Sequence, residues 1–270
     1  MVTIFPQAAS STLEFRGEYQ LFSSHDKAVN LINQFGQLVS FHPSLQYLSP
    51  FGIAFRPADF EYVRSTCLQA EKFSVDSLNS LLMERCRIIP SNRGIVLKVR
   101  PTSCGFKDAS IFSNVGVEVN GFGCSNEYML NQLLPPIDSI AEYLKTPTLI
   151  TARQVVQHIG LGQGLTPSFD DVLVGLLATL FCQDRCKDYL DPLTKALAET
   201  DLSAQTTTVS KSFIIHAMHG EFSYPLLKLI SSFKYDSKTV EQAIKQFIQH
   251  GHTSGRDTLL GIAIAFQYID

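Results

Sequence analysis

Two stretches of the sequence share the pattern Ser-x-x-Asp-x-Leu-x-Gly: Ser168-Phe-Asp-Asp-Val-Leu-Val-Gly175 and Ser254-Gly-Arg-Asp-Thr-Leu-Leu-Gly261. Each stretch follows a glycine-bearing turn and opens an apolar run, which predicts a pair of similar loop-to-helix junctions. Both runs lack a polar face, and a helix of that kind belongs inside a bundle. The repeat therefore predicts that the two helices pack centrally and that their first turns lie side by side.

Three closely spaced glycines, Gly160, Gly162 and Gly164, precede the first junction. Glycine takes positive φ without strain, so this loop can turn tightly and leave backbone N–H groups exposed. Thr166 is the predicted N-cap, and Pro167 is the predicted first helical residue. Because outward N–H groups and the positive end of a helix dipole attract negative charge, we expect a phosphate, a carboxylate or a carbonyl oxygen here.

Acidic and hydroxyl side chains are more numerous at this junction than a cap requires, since Ser168, Asp170 and Asp171 follow Thr166 at once. Capping alone is the competing explanation. Asp171 is the preferred functional carboxylate because Asp257 occupies the same place in the repeat. Two aspartates repel a phosphate unless a cation or an arginine intervenes. The junction is therefore a candidate site either for Mg²⁺, with no cofactor assigned, or for an amide or carbamoyl N–H that donates hydrogen bonds to it.

Two other segments carry candidate ligand-binding groups. Thr206, Thr207 and Ser210 lie at a predicted helix start, where they are either donors to an anionic ligand or a solvated cap. The loop before the second junction carries His252, an acid/base candidate, and Arg256 adds a positive charge close to Ser254.

A histidine pair is a weaker metal candidate. His216 and His219 are three residues apart on a predicted helix, with Glu221 just beyond. The pattern lacks a third ligand in register, and no metal is assigned to it.

The composition is that of a globular protein, with 270 residues, 45% of them apolar, and a formal charge of −3. This charge gives no basic footprint for nucleic acid, and the longest apolar run falls short of the ~20 residues that cross a bilayer. The N-terminus lacks the features of a secretory signal, and six scattered cysteines fit neither a disulfide scaffold nor a zinc ribbon. A cytoplasmic protein with small-molecule or protein partners is expected.

The chain changes character near Pro135-Pro136, which predicts an α+β fold with two regions, 1–134 with a small sheet and 135–270 all-α. Strands are predicted at 37–41, 52–56, 94–99 and 116–120, and helices of the first region at 26–34 and 74–85. Helices of the second region are predicted at 139–144, 152–159, 172–182, 192–198, 209–219, 224–232, 237–250 and 257–268.

These motifs together resemble a known family, the AllH-like family. The likeness rests on Gly160 to Gly175, on Thr206 to Ser210 and on Gly251 to Asp257, with further similarity at Ala28-Val-Asn-Leu31 and Pro50-Phe-Gly-Ile53. The family pattern has Gly where this chain has Phe169, Pro where it has Gln163, and an aromatic residue where it has Arg256.

The resemblance implies a subunit of oxamate carbamoyltransferase, which acts in anaerobic allantoin and purine breakdown. The implied reaction is carbamoyl transfer between oxamate and carbamoyl phosphate, with other subunits of the transferase as partners. Backbone N–H groups between Gly162 and Ser168 would then stabilise negative charge on oxygen, and Asp171 and Asp257 would orient the NH₂ group of the ligand or a metal-bound water. The alternative is a noncatalytic assembly or metabolite-sensing subunit that binds a small carboxylate.

Overall fold

The computed structural model describes residues 1–70, 72–83, 85–89, 94–99, 111–112, 127–183, 186–249 and 254–269, without the side chains of 127–134. The chain forms two compact units, Met1–Leu97 with Phe222–Pro225, and Lys98–Glu221 with Leu226–Asp270. The N-terminal region is rich in strands and the C-terminal region is mainly helical, which confirms the predicted α+β class.

The N-terminal unit contains two sheets. The described strands are β1 Val2–Ile4, β2 Ala8–Ser10, β3 Tyr19–His25, β4 Ala28–Asn33, β5 Leu38–His42, β6 Gly52–Ala54, β7 Ser74–Val75, β8 Leu81–Met83, β9 Cys86–Ile88 and β10 Gly94–Ile95. Six strands pair in the order β10-β2-β6-β5-β4-β3, and four pair in the order β1-β9-β8-β7. Helix α1, Pro57–Gln69, packs its buried Phe60, Val63 and Cys67 into the core cluster that includes Phe41 and Ile53.

Both helices predicted for the N-terminal region were wrong. The segment predicted as helix 26–34 forms β4, because Val29 and Leu31 alternate into the core and the strand pairs antiparallel with β3 and β5. The segment predicted as helix 74–85 contains β7 and β8, joined by a turn in which the Asp76 carboxylate accepts hydrogen bonds from the N–H groups of Leu78 and Ser80. Aspartate favours such a turn because its short side chain competes for nearby backbone donors.

Strand predictions fared better, and one helix was missed. β5 and β6 confirm the strands predicted at 37–41 and 52–56, whereas β10 covers only Gly94–Ile95 of the predicted 94–99. The strand predicted at 116–120 lies outside the described residues. The missed helix α1 has proline at its first position and buried residues at Phe60, Val63 and Cys67, which are signals that the sequence did offer.

The helical region confirms all eight predicted helices; their ends differ by up to five residues, except that the helix predicted from residue 139 begins at Glu127. Its helices are α2 Glu127–Lys145, α3 Leu149–Val156, α4 Ser168–Cys182, α5 Lys187–Ala198, α6 Leu202–Gln205, α7 Thr208–Met218, α8 Tyr224–Ser232, α9 Ser237–Ile248 and α10 Ser254–Tyr268. The two motif helices, α4 and α10, are buried almost all round, as their composition predicted.

The tandem prolines were expected to break helical structure, and this expectation was wrong. Helix α2 runs through Pro135 and Pro136. A proline inside a helix costs about 3 kcal/mol. Burial of Ile140, Tyr143 and Leu144 further along α2 offsets this cost. The domain boundary at 134/135 stays a prediction.

Candidate functional site

The glycine loop before α4 is held by close backbone contacts. Gly160, with φ of +86°, lies so near the Gln205 carbonyl oxygen that a Cβ would stand 2.0 Å from it. Gly162, with φ of +126°, lies against the backbone nitrogen of Ser168, where a Cβ would stand 2.4 Å away. Glycine is therefore required at both positions by conformation and by space. Gly164 also has positive φ, but nothing lies within 4 Å of a Cβ there.

The N-cap and the first residue of helix α4 each lie one position later than the predicted Thr166 and Pro167. Its first residue is Ser168, and its N-cap is Pro167, which has φ −54° and ψ 143° and cannot cap with its side chain. The prediction of Thr166 as N-cap was therefore wrong. The Thr166 side chain instead faces Asp171 and lowers the pKa of its carboxyl group.

Asp170 joins the glycine loop to the threonine-rich segment. Its Oδ1 accepts a 2.7 Å hydrogen bond from the Gly160 N–H, and its Oδ2 accepts from the hydroxyls of Thr206 and Ser210. Asp170 is 1% exposed, and burial raises its pKa despite these three donors. The geometry gives Asp170 a structural role, and the hydroxyls of Thr206 and Ser210 already have a partner within the protein.

Thr207 also has a partner within the fold. Its hydroxyl caps α7 by accepting a hydrogen bond from the Ser210 N–H, and it donates to the Leu165 carbonyl oxygen at 2.5 Å. Together with Asp170, this threonine fixes the glycine loop against the start of α7. Sequence reasoning identified these residues as polar groups at helix starts but did not foresee that they bind one another.

The two Ser-x-x-Asp junctions lie side by side, as the repeat predicted. Ser254, from the second junction, lowers the pKa of Asp171 in the first, and Ser168 of the first junction lowers the pKa of Asp257 in the second, so each serine faces the aspartate of the other junction. The charge of Asp257 also raises the pKa of Asp171, since the two carboxylates are close enough to interact. The repeated motif thus forms one reciprocal cluster from two helix starts.

The two carboxylates at the centre of this cluster are buried and incompletely bonded. Asp171 is 8% exposed and Asp257 is 1% exposed, and the Oδ2 atom of each has no hydrogen-bond partner among the described residues. Burial raises the pKa of Asp257 to about 7 and raises that of Asp171 well above its usual value. Both shifts arise because a carboxylate loses its hydration when it is buried.

The polar residues around the pair are less buried than the pair itself. Thr166, Ser168 and Ser254 are all half-buried, and the N–H groups of Thr166 and Ser168 make no hydrogen bond with another described residue. Phe169 is fully buried and packs edge to face on His158, with ring centroids 5.6 Å apart. The Phe169 side chain therefore points into the core.

Two of the predicted site residues are not placed at the pair. Arg256 is exposed and makes no ion pair with another described residue. His252 and its loop lie outside the described residues, so its predicted role stays a prediction.

The histidine pair considered for metal binding, His216 and His219, is not part of a described cluster of metal ligands. His216 Nδ1 lies 2.7 Å from Glu221 Oε2, so these two side chains bind each other. Within the part of the chain that the structure describes, no group of three or more His, Cys, Asp or Glu side chains is arranged to hold a metal ion.

A surface cavity of about 480 Å³ lies in the strand-rich unit, lined by Thr12, Glu14, Arg16, Phe35 and Gln37. Its two charged groups, Glu14 and Arg16, pair with each other at 2.5 Å and are 63% and 69% exposed. This cavity offers a ligand no buried charge, so the carboxylate pair is the stronger candidate site. No described helix is long and apolar enough to cross a membrane.

The fold and the site define a class of α+β protein in which two buried aspartates stand at adjoining helix starts. The model of a family described as oxamate carbamoyltransferase subunit AllH matches residues 158–266. This range contains both junctions and confirms the family resemblance there; it does not include the similar segments at 28–31 and 50–53. No solved structure matches the chain.

Proposed function

We propose that this chain is a subunit of an oxamate carbamoyltransferase-type complex, with the ligand site at the start of α4 and α10. The observation that carries the proposal is the pair of buried carboxylates, Asp171 and Asp257, each with an unpartnered Oδ2. Both lie within the range that the family model matches. Unsatisfied buried polar groups are costly, and a fold that keeps two of them together at one place supports a binding role.

The proposed reaction is carbamoyl transfer between oxamate and carbamoyl phosphate. The amide nitrogen of oxamate forms a C–N bond with the carbamoyl carbon, the C–O bond to phosphate breaks, and the nitrogen gives up one proton to a base. In the direction proposed for purine and allantoin breakdown, the substrate is oxamate that carries the carbamoyl group on its nitrogen. Phosphate attacks the carbamoyl carbon, the C–N bond breaks, and the leaving nitrogen takes up a proton. The products in that direction are oxamate and carbamoyl phosphate.

The site offers groups suited to both ends of this chemistry. The free N–H groups of Thr166 and Ser168, at the positive end of α4, would stabilise negative charge on the carbonyl oxygen during attack. Asp171 and Asp257 would hold the nitrogen-bearing part of the ligand. Oligomeric partners in the proposed complex are the other subunits of the transferase, and the proposed location is the cytoplasm.

A noncatalytic role in assembly or metabolite sensing is the second candidate. It is favoured by the bonds from Thr206 and Ser210 to Asp170, and from Thr207 to Leu165, because these hydroxyls are then committed to the structure. In this case the same pair of carboxylates would bind a metabolite without taking part in turnover.

The test is transferase activity of the complex reconstituted with variants of this chain. Asp171→Asn and Asp257→Asn are expected to lower kcat by ~10²-fold or more, because each removes a positioned charge from the reaction site. The matched control is Asp236→Asn, an exposed cap at the start of α9 that accepts from the Thr239 N–H, and it should keep full activity. Full activity of both site variants, or of a complex that lacks this chain, would exclude catalysis here.

A further inference from the structure

The Oδ2 atoms of Asp171 and Asp257 are acceptors that the described residues leave without a donor. Each belongs to a side chain that is more than nine-tenths buried. An unmade hydrogen bond of this kind costs about 1–3 kcal/mol, and more for a charged group. The repeated motif places two such acceptors at one site. A ligand that satisfies both Oδ2 atoms must therefore donate a hydrogen bond to each.

An anionic group does not meet this requirement. When the pair is ionised, phosphate or a carboxylate would place further negative charge beside it in a buried site, where Coulomb repulsion is weakly screened; when the pair is protonated, a buried anion would raise its pKa further. Among the described residues, Arg256 is the cationic side chain next to Asp257 in the chain, and it is exposed and forms no ion pair. The positive ends of α4 and α10 contribute roughly half a charge each, which only partly neutralises Asp171 and Asp257.

A divalent metal ion fits little better. Mg²⁺ and Ca²⁺ are usually held by six or more oxygen ligands, several of them charged or from water. The described residues supply two carboxylates and no third acidic or histidine ligand to this cluster.

We propose that Asp171 and Asp257 together bind the NH₂ group of a primary carboxamide or carbamoyl ligand, one N–H to each Oδ2, and that phosphate is bound at a different site. An NH₂ group carries two donors in one plane and no charge, so it satisfies both acceptors without adding repulsion. Ser168 and Ser254 each face the aspartate of the other junction, and the close approach of Gly175 to Thr258 and of Gly261 to Val172 brings the two carboxylates to one place for such a fork. The choice of ligand rests on the proposed function.

The experiment is calorimetric titration of the full chain, alone and in the reconstituted complex, with oxamate and with oxalate. The two ligands have nearly the same shape, but oxalate has O⁻ where oxamate has NH₂. Oxamate is expected to bind at least ~10²-fold more tightly, because a site built of acceptors rejects a ligand that lacks the donor. Inorganic phosphate should not compete with oxamate.

A variant that exchanges an acceptor for a donor sharpens the test. Asp257→Asn should lower the preference for oxamate over oxalate by ~10-fold or more, since the asparagine NH₂ can donate to oxalate. Asp236→Asn should leave the preference unchanged. Equal binding of the two ligands, competition by phosphate, binding of Mg²⁺ that depends on both aspartates, or no oxamate binding in either preparation would overturn the inference.

The outcome is separable from that of the proposed function. Activity that depends on Asp257 without discrimination between oxamate and oxalate would keep the transferase role and reject the NH₂ site. If the protein prefers oxamate to oxalate but the Asp257→Asn complex keeps its activity, the NH₂ site stands and its catalytic role is rejected.

Discussion

Gly261 lies so close to the carbonyl oxygen of Val172 that a Cβ on this glycine would stand 1.9 Å from it. Gly175 has the same relationship to the Thr258 carbonyl oxygen, at 2.0 Å. The two contacts are reciprocal. Each glycine lies four residues after the aspartate of its own helix, and it meets the residue next to the aspartate of the other helix. This reciprocal contact holds the backbones of α4 and α10 together and brings Asp171 and Asp257 to one place.

The first prediction concerns this contact. Gly261→Ala should lower the free energy of unfolding by about 3 kcal/mol or more, because the helices must move apart to admit the methyl group. Gly164→Ala is the control: its Cβ meets nothing within 4 Å, and only the positive φ of +93° is unfavourable, at about 1–2 kcal/mol. Urea unfolding of both variants gives the comparison. Equal losses would show that the close approach has no energetic weight.

The second prediction concerns the pH dependence of stability. Burial raises the pKa of Asp257 to about 7 in the folded protein, whereas an unfolded chain releases this proton near pH 4. The folded state binds more protons between these values, so this residue's contribution to stability falls as the pH rises from about 4 to 7 and stays low above it. Asp257→Asn removes that cost and leaves Asp171 as the one carboxyl group of the pair.

The expected result is a melting temperature about 4 °C or more above that of the unaltered protein at pH 8, with little difference at pH 4. Thermal melts across this range measure it. Asp236→Asn should not raise the melting temperature at any pH, since hydrogen bonds from the Thr239 backbone lower the pKa of Asp236. A lower melting temperature for Asp257→Asn at pH 8 would mean that the buried charge is stabilised by groups not identified at the pair.

The third prediction separates two neighbouring aspartates. Asp170→Ala should cost roughly 3 kcal/mol or more, because it leaves the Gly160 N–H and the hydroxyls of Thr206 and Ser210 without their acceptor. Asp171→Ala should cost no more than about 1 kcal/mol, since it removes a carboxylate whose Oδ2 has no described partner. Chemical denaturation at pH 7 compares the two variants. The reverse order of stability would contradict the roles assigned to them.

Local patterns sufficed for the helical region but not for parts of the strand-rich unit. Apolar periodicity located the helices because a buried helix needs a continuous apolar run, as in α4 and α10. It failed at β4, where a short apolar segment fits helix and strand equally well and pairing with β3 and β5 decides the outcome. It failed again at Asp76, where a side-chain bond to the backbone favours a turn.

The sequence by itself determined the two helix junctions, because their glycines, serines and aspartates recur at fixed spacing and each opens an apolar helix. Only the tertiary structure decided which aspartate serves which purpose. Asp170 and Asp171 are adjacent in the chain and chemically identical, but the helix turns them toward different neighbours. Asp170 meets donors from the glycine loop and α7, whereas Asp171 meets Asp257, a residue 86 positions away whose approach depends on the packing of Gly175 and Gly261.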